Sequence, residues 1–161
     1  MGVYRTAEVC PNGHTSTSSV DQNPELSEKF CSECGEATIT ACPSCGSAIR
    51  GDYDVEGVVS IGFSYEPPAF CHGCGQSFPW TSRKLDAAVE LVEIDGSLSA
   101  EELADFRSEL GYLVKDSPRT QVASVKFNGV MSKVGASIAG GVKEIVVGVL
   151  SEAAKKAIWG V

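Results

Sequence analysis

Eight side chains that can bind a metal ion fall into four close pairs within the first 74 residues of this 161-residue chain. The pairs contain all seven cysteines and one of the two histidines: Cys10 with His14, Cys31 with Cys34, Cys42 with Cys45, and Cys71 with Cys74. Four pairs supply the eight ligands of two tetrahedral sites and leave no thiol over. The sequence therefore predicts two structural Zn²⁺ ions per chain.

Three of the pairs share the pattern C-x-x-C-G, at residues 31–35, 42–46 and 71–75. A gap of two residues lets both sulfurs of a turn point at one metal ion, and we refer to each such turn as a knuckle. The glycine that follows suits the positive φ with which the chain leaves the turn. The pair Cys10 and His14 is a variant with one extra residue and an imidazole in place of the second thiolate.

Sequential pairing of the knuckles assigns Cys10, His14, Cys31 and Cys34 to one site and Cys42, Cys45, Cys71 and Cys74 to the other. The intervals between the paired knuckles are 16 and 25 residues, and each can hold a short β-hairpin, as in a zinc ribbon. Crossed or nested pairing stays open as an alternative. So does iron in place of zinc, and so does His72 as a replacement for Cys71 or Cys74.

Both sites are expected to be structural, because four protein ligands leave no coordination position for a catalytic water. We therefore expect a protein that is not an enzyme and has no catalytic residues. Residues 1–20 contain no apolar run typical of a secretory signal, and C-x-x-C pairs in an unsecreted chain indicate thiolate ligands. A cytoplasmic location is expected, with attachment to the inner-membrane surface as the alternative.

The predicted fold class is small α+β, in three regions. Residues 1–81 are expected to form two zinc ribbons, short antiparallel β-hairpins on the knuckles, with strands at 36–41 and 59–65. Alternating apolar residues from Val59 to Tyr65 support the second of these strands. Residues 82–116 are expected to form an α-helical hairpin, and residues 117–161 one long amphipathic helix.

The helical hairpin is predicted from start signals and from apolar spacing. Thr81 or Ser82 can cap the first helix, and Ser99 with Glu102 forms a capping box ahead of the second. In this second helix the apolar stripe is predicted to face the protein, and the acidic residues Glu101, Asp105 and Glu109 are predicted to face water.

The long helix is predicted from apolar residues that recur with a helical period from position 127 to 157. Its candidate partner-binding residues are Val130, Val134, Ile138, Val142, Ile145 and Val149. Three roles stay open: covering the chain's own shorter helices, docking a protein partner or a second copy, and lying on an anionic membrane. The length of the stripe favours docking over the last role, although six basic and two acidic side chains in residues 117–161, with Trp159, would suit an anionic lipid surface.

The leading functional prediction is a non-enzymatic, zinc-binding adaptor that docks a protein partner or self-associates through its C-terminal helix. A peripheral membrane protein that uses the cationic tail is the alternative. Nucleic-acid binding is less favoured, because residues 1–81 carry ten acidic and only three basic side chains. Nothing in the sequence points to a small-molecule substrate.

Residues 4–10 and 62–71, together with the knuckles, resemble a family of short bacterial proteins that is catalogued as a domain of unknown function with zinc-ribbon character. The resemblance covers most of residues 1–81. It implies zinc ribbons in a bacterial protein and implies no activity.

Overall fold

Four short strands precede five α-helices in the computed structural model, which describes residues 1–160. The chain divides after Ser82 into two units. The first unit contains the strands and all of the cysteine pairs, and the second contains most of the helical residues. The small α+β fold class agrees with the prediction at this coarse level.

The strands of the first unit form two separate antiparallel pairs. Strand β1 (Val3–Thr6) pairs with β4 (Arg50–Asp54), so that the N-terminus is joined to a segment almost 50 residues away. Strand β2 (Glu8–Val9) pairs with β3 (Thr15–Thr17) on either side of the turn that carries Cys10 and His14. Each pair thus holds chain segments that lead into or out of a knuckle.

The two strands predicted inside the ribbons are wrong as continuous strands. Residues 36–41 make only isolated bridges, at Ala37, Ile39 and Ala41. Residues 59–65 contain no strand and are mostly exposed, with Gly62 at a φ of 82°. A positive φ interrupts an extended strand, and no neighbouring segment pairs with residues 59–65.

The first unit has a small apolar core to which the metal-ligand turns contribute directly. Ala7, Val9, Ile49, Phe78 and Trp80 are buried together with Cys42 and Cys71. The rings of Phe78 and Trp80 stack with their centroids 4.5 Å apart. Two knuckle cysteines therefore form part of the core, so the apolar packing and the ligand positions depend on each other.

Five α-helices follow the strands: α1 (Pro79–Asp95), α2 (Ala100–Val114), α3 (Arg119–Lys133), α4 (Ala136–Val146) and α5 (Glu152–Trp159). The predicted capping box is present at α2. The Glu102 N–H donates to Ser99 Oγ at 3.2 Å, and the Ser99 N–H donates to Glu102 Oε1 at 3.3 Å. Among the described residues, no helix is both long and apolar enough to cross a membrane.

The single long helix predicted for residues 117–161 is wrong, because the chain breaks there into α3, α4 and α5. The first break lies at Val134 and Gly135, where the Gly135 N–H donates to Asp95 Oδ1 at 3.0 Å. The second break, between α4 and α5, ends at Ser151, whose Oγ caps α5 by accepting the Ala154 N–H at 3.1 Å. Because the chain folds back at these breaks, apolar residues of α3, α4 and α5 are buried, whereas one straight helix would leave most of them in water.

The prediction that Glu109 faces water is also wrong. Its side chain is 4% exposed, between α2 and α3, where Oε1 accepts from Arg119 Nη2 at 2.7 Å and from Lys126 Nζ at 2.9 Å. Glu102 and Lys133 form a further ion pair between the same two helices. Burial raises the pKa of Glu109, but the hydrogen bonds and charges of Lys126 and Arg119 outweigh burial and hold its pKa below the ordinary value.

Glu109→Gln is expected to lower the free energy of unfolding by about 1–3 kcal/mol, because it removes the carboxylate that two cations share. A lowered pKa in the folded state means that Glu109 stabilises the fold fully above the ordinary glutamate pKa. That contribution is lost as the pH falls through the folded-state value. Thermal unfolding of both proteins between neutral and acidic pH should therefore show a difference that shrinks in acid. The exposed Glu101→Gln is the control, and an equal effect from it would contradict the prediction.

Candidate metal centres

The three C-x-x-C-G knuckles repeat one backbone geometry. In each, the glycine N–H donates to the carbonyl of the first cysteine at 2.8–2.9 Å. The N–H of that cysteine donates at 2.8 Å to the carbonyl of the residue after the glycine. The glycines, Gly35, Gly46 and Gly75, have φ values of 76°, 79° and 75°. Such a φ is strained for residues with a Cβ, and this explains why glycine follows the second cysteine each time.

Each of these knuckles is closed by an antiparallel bridge between the residue before the first cysteine and the second residue after the glycine. The bridges join Phe30 to Ala37, Ala41 to Ala48, and Phe70 to Ser77. The variant knuckle is closed instead by β2 and β3, and the Cys10 N–H donates to the His14 carbonyl at 2.9 Å. Each of the four turns thus presents two ligand atoms, and the three C-x-x-C-G knuckles do so with the same backbone geometry.

The first cluster contains Cys10, His14, Cys31 and Cys34, whose ligand atoms all lie within 4.8 Å of one another. His14 Nδ1 lies 3.4 Å from Cys10 Sγ and 3.5 Å from Cys31 Sγ. The Cys10 and Cys34 sulfurs are 3.7 Å apart.

The second cluster contains Cys42, Cys45, Cys71 and Cys74 within the same 4.8 Å limit. Cys42 Sγ lies 3.8 Å from Cys74 Sγ, and Cys45 Sγ lies 3.6 Å from Cys71 Sγ. The two clusters are the groups of the sequential pairing, and neither crossed nor nested pairs occur. His72 belongs to neither cluster.

These separations match a tetrahedral zinc site. With Zn–S bonds of about 2.3 Å and Zn–N bonds of about 2.0–2.1 Å, the edges of the tetrahedron are about 3.8 Å between sulfurs and about 3.5–3.6 Å between sulfur and nitrogen. The five pairs given above are 3.6–3.8 Å apart between sulfurs and 3.4–3.5 Å apart between sulfur and nitrogen, and all ligand atoms of each cluster lie within 4.8 Å of one another. A disulfide needs about 2.05 Å, and all seven cysteines are free thiols. The donor sets therefore fit zinc.

Hydrogen bonds to two of the sulfurs, those of Cys45 and Cys34, favour the thiolate form that binds metal. The Ser47 hydroxyl lies 3.2 Å from Cys45 Sγ and, with the Ser47 backbone, lowers the pKa of Cys45 to about 6. A backbone hydrogen bond from Glu36, with a further contribution from Asn12, lowers the pKa of Cys34 to about 6. The pKa shifts go the other way elsewhere in the clusters. Burial raises the pKa of Cys10, and at Cys74 a backbone hydrogen bond from Gln76 is outweighed by burial and by the neighbouring sulfurs, which raise the pKa to about 12. Only some of the ligands are therefore favoured as thiolates before a metal ion binds.

The two knuckles of the second cluster also come close to each other. A Cβ added at Gly73 would lie 2.3 Å from Ser47 Oγ and 3.4 Å from Cys45 Sγ. The Gly73 N–H donates to Cys71 Sγ at 3.3 Å. A side chain at this position would force Ser47 to move, so glycine allows the two knuckles to lie this close.

Both clusters have a buried and an exposed side. Cys10, Cys31, Cys42 and Cys71, the first cysteine of each knuckle, are buried, whereas Cys34, Cys45 and Cys74 are exposed. The buried cysteines are packed in the protein interior, and the exposed cysteines complete each ligand set on its solvent side.

Sequence reasoning missed two residues that support the clusters. One is Ser47, whose hydroxyl is described above. The other is Glu8, which is 4% exposed and accepts hydrogen bonds from Ser27 Oγ and from the Glu28 N–H, both at 2.7 Å. Glu8 thereby fixes the segment that leads to Cys31. No spacing pattern marks either residue, although a charged residue between the apolar Ala7 and Val9 is a weak signal.

The candidate partner-binding residues of the C-terminal region do not form one exposed stripe. Three of them are buried, namely Val134, Val142 and Val149. The other three are half-buried, namely Val130, Ile138 and Ile145. The apolar side chains of α3 that do face solvent are Val122 and Val125, with exposed fractions of 44% and 71%.

Cys74→Ser is expected to reduce the metal content from two ions per chain to one, because a serine hydroxyl is a poor substitute for a thiolate. His72→Ser is the matched control, since it changes an exposed residue of the same knuckle that lies outside the cluster, and it should retain two ions. Native mass spectrometry of the chain and of both variants measures the count directly. Equal metal content in the two variants would contradict the assignment.

Comparison with known proteins identifies a family for nearly the whole chain. The family described as "Uncharacterized protein conserved in bacteria (DUF2321)" matches residues 3–158. No curated protein and no solved structure matches the chain. The match extends beyond the metal-ligand clusters and through the helical unit, so the chain belongs to this uncharacterized bacterial family.

Proposed function

We propose that this protein is a non-enzymatic adaptor: two structural Zn²⁺ ions organise the first unit, and the chain docks a protein partner or a second copy through its C-terminal helices. The observation that carries this proposal is the pair of complete four-ligand clusters. Each cluster satisfies the tetrahedral preference of zinc with protein atoms alone. A catalytic zinc site usually has three protein ligands and a water, so saturation favours a structural role.

Zinc is favoured over iron by the first cluster. A set of three cysteines and one histidine is a common structural zinc site, whereas iron can occupy a set of four cysteines. Because both clusters are built from the same type of knuckle, we assign the same metal to both.

A structural metal suits the small core of the first unit. Apart from cysteines, only Ala7, Val9, Ile49, Phe78 and Trp80 form its buried apolar cluster. A unit of this size with so few large apolar side chains usually needs further cross-links. Metal binding then supplies free energy of folding, because the ligand set does not exist in the unfolded chain.

The basic residues of the first unit already contact acidic or aromatic side chains, and this favours a protein partner over a nucleic acid. They are Arg5, Lys29 and Arg50. Arg5 pairs with Asp54 and Asp21. Lys29 and Arg50 lie over the rings of Phe30 and Tyr4, respectively. Phosphate recognition depends on lysine and arginine that can approach the backbone of the nucleic acid.

Docking through the helical unit is assigned to the exposed face of α3. Val122 and Val125 lie three residues apart, so both project from neighbouring positions of one helix surface. The six residues proposed from sequence are half-buried or buried, and they contribute instead to the packing that holds α3, α4 and α5 in place. The proposed docking site is therefore the exposed face of α3, and the buried apolar residues of the C-terminal region hold that helix in position.

Val125→Glu tests the role of this face, and Ile94→Glu is the matched control because Ile94 has nearly the same exposure, 70% against 71%. Light scattering over a wide concentration range measures self-association of the full-length chain. Quantitative capture from a bacterial lysate compares partners retained by the chain and by both variants. We expect Val125→Glu to lose an association that Ile94→Glu keeps. A monomer that retains nothing sensitive to Val125→Glu would contradict the proposed docking.

A further inference from the structure

The most exposed apolar segment of the first unit lies between the two C-x-x-C knuckles of the second cluster. We call residues 57–64 the apolar loop. Its large side chains are Val58, Val59, Ile61 and Phe63, with exposed fractions of 61%, 82%, 83% and 88%. Single exposed apolar residues are normal on protein surfaces, but four within six positions form a patch of the kind that binds partners.

The apolar loop borders an open groove of about 620 Å³. Val58, Val59 and Phe63 of the loop line this groove together with Tyr53 and Asp54 of β4. The ring of Tyr53 packs against that of Tyr4, with centroids 4.9 Å apart, and both rings are about half exposed. The groove therefore joins the apolar loop to an aromatic pair on the two-stranded sheet.

The groove is apolar on its loop side and anionic on its sheet side. Asp52 and Asp54 line it, and Arg5 is the one basic residue in its lining. Arg5 Nε donates a hydrogen bond to Asp54 Oδ2 at 3.0 Å, and Arg5 Nη1 lies 3.7 Å from Asp21 Oδ2. The hydrogen bond from Arg5 holds the pKa of Asp54 below its ordinary value. Glu56 and Glu66 flank the loop in sequence.

The loop combines the residue pattern of a strand with an unpaired conformation. Val59, Ile61 and Phe63 alternate with smaller residues, yet no segment of the described chain pairs with them. Gly57 and Gly62 have φ values of 80° and 82°, and a Cβ at either would meet no atom within 4 Å. A segment of this kind has open space around it and can contact an extended ligand.

We propose that the apolar loop and its groove bind an extended basic peptide segment of a partner protein. The apolar side chains of that segment contact Val58, Val59 and Phe63, and its lysines or arginines lie near Asp52 and Asp54. The inference rests on the proposed adaptor role and names the kind of partner that the first unit docks.

Charge decides between this occupant and two others. A second copy docked through the same face would place its acidic groove against this one, and like charges so arranged oppose association. An anionic bilayer would be repelled by the same carboxylates. A basic peptide gains from both the apolar and the charged part of the groove.

The experiment starts with a random peptide library displayed on phage and selected on the zinc-loaded, full-length chain. Selection is repeated on a Val59→Ser/Phe63→Ser variant. Leu26→Ser is the control, because Leu26 is an exposed apolar residue of the same unit, 52% exposed, that does not line the groove. All three chains should fold and carry two metal ions, because only exposed side chains are changed.

We expect the chain and Leu26→Ser to enrich peptides in which lysine or arginine neighbours apolar residues. A synthetic copy of such a peptide should bind the double variant at least about tenfold more weakly, as expected when apolar anchors of an interface are truncated. Added salt should weaken its binding to the chain. Failure to enrich, enrichment of acidic or uncharged peptides, or equal binding by the double variant would overturn the inference.

Light scattering, and flotation with vesicles of phosphatidylcholine and phosphatidylglycerol, test the two other occupants. Self-association or flotation that the double variant abolishes would show that a second copy or a bilayer occupies the surface, and would overturn the peptide assignment. The adaptor role is judged separately. Loss of peptide binding with two metal ions present and α3-dependent association intact removes only this inference, whereas absence of bound metal removes the proposed function itself.

Discussion

The close approach of four ligand atoms in each cluster is the constraint on which the first unit depends. Two thiolates about 4 Å apart repel each other by about 4 kcal/mol at an effective dielectric constant of 20, and each cluster brings three or four together within 4.8 Å. A divalent cation at the centre would convert this repulsion into attraction. Because Cys42 and Cys71 belong to the apolar core as well, the same cation would stabilise the core and the loops around it.

The helical unit is stabilised by more ordinary interactions. Its interior contains Phe106, Leu110 and Phe127, and the α2–α3 interface adds the buried carboxylate of Glu109 with its two basic partners. Its packing rests on these apolar and ionic contacts, and no group of candidate metal ligands lies among its described residues. The contrast between the two units explains why the first is rich in turns and glycine whereas the second is built from helices with apolar faces.

The knuckles were predictable from sequence because each depends on short local spacing. Two cysteines three positions apart, followed by glycine, determine a turn almost irrespective of the rest of the chain, and the structure repeats this turn three times. The capping box at Ser99 and Glu102 was predictable for the same reason. Both features lie within five consecutive residues.

Features that depend on distant residues were not predictable. The break at Gly135 needs Asp95, 40 positions earlier, to accept its N–H, and the burial of Glu109 needs Arg119 and Lys126 on the next helix. The alternation from Val59 to Phe63 predicted a strand, but a strand forms only where another segment pairs with it. Periodicity identified the apolar faces and could not show whether the helix between residues 117 and 161 was continuous.

Hydrogen–deuterium exchange of the full-length chain, with and without a strong zinc chelator, tests most directly whether metal coordination organises the first unit. If metal coordination organises this unit, chelation should remove protection from amides in residues 1–82, above all those in the knuckles, while amides in α2 and α3 keep theirs. Unchanged protection of the knuckle amides after the metal has been removed would contradict it.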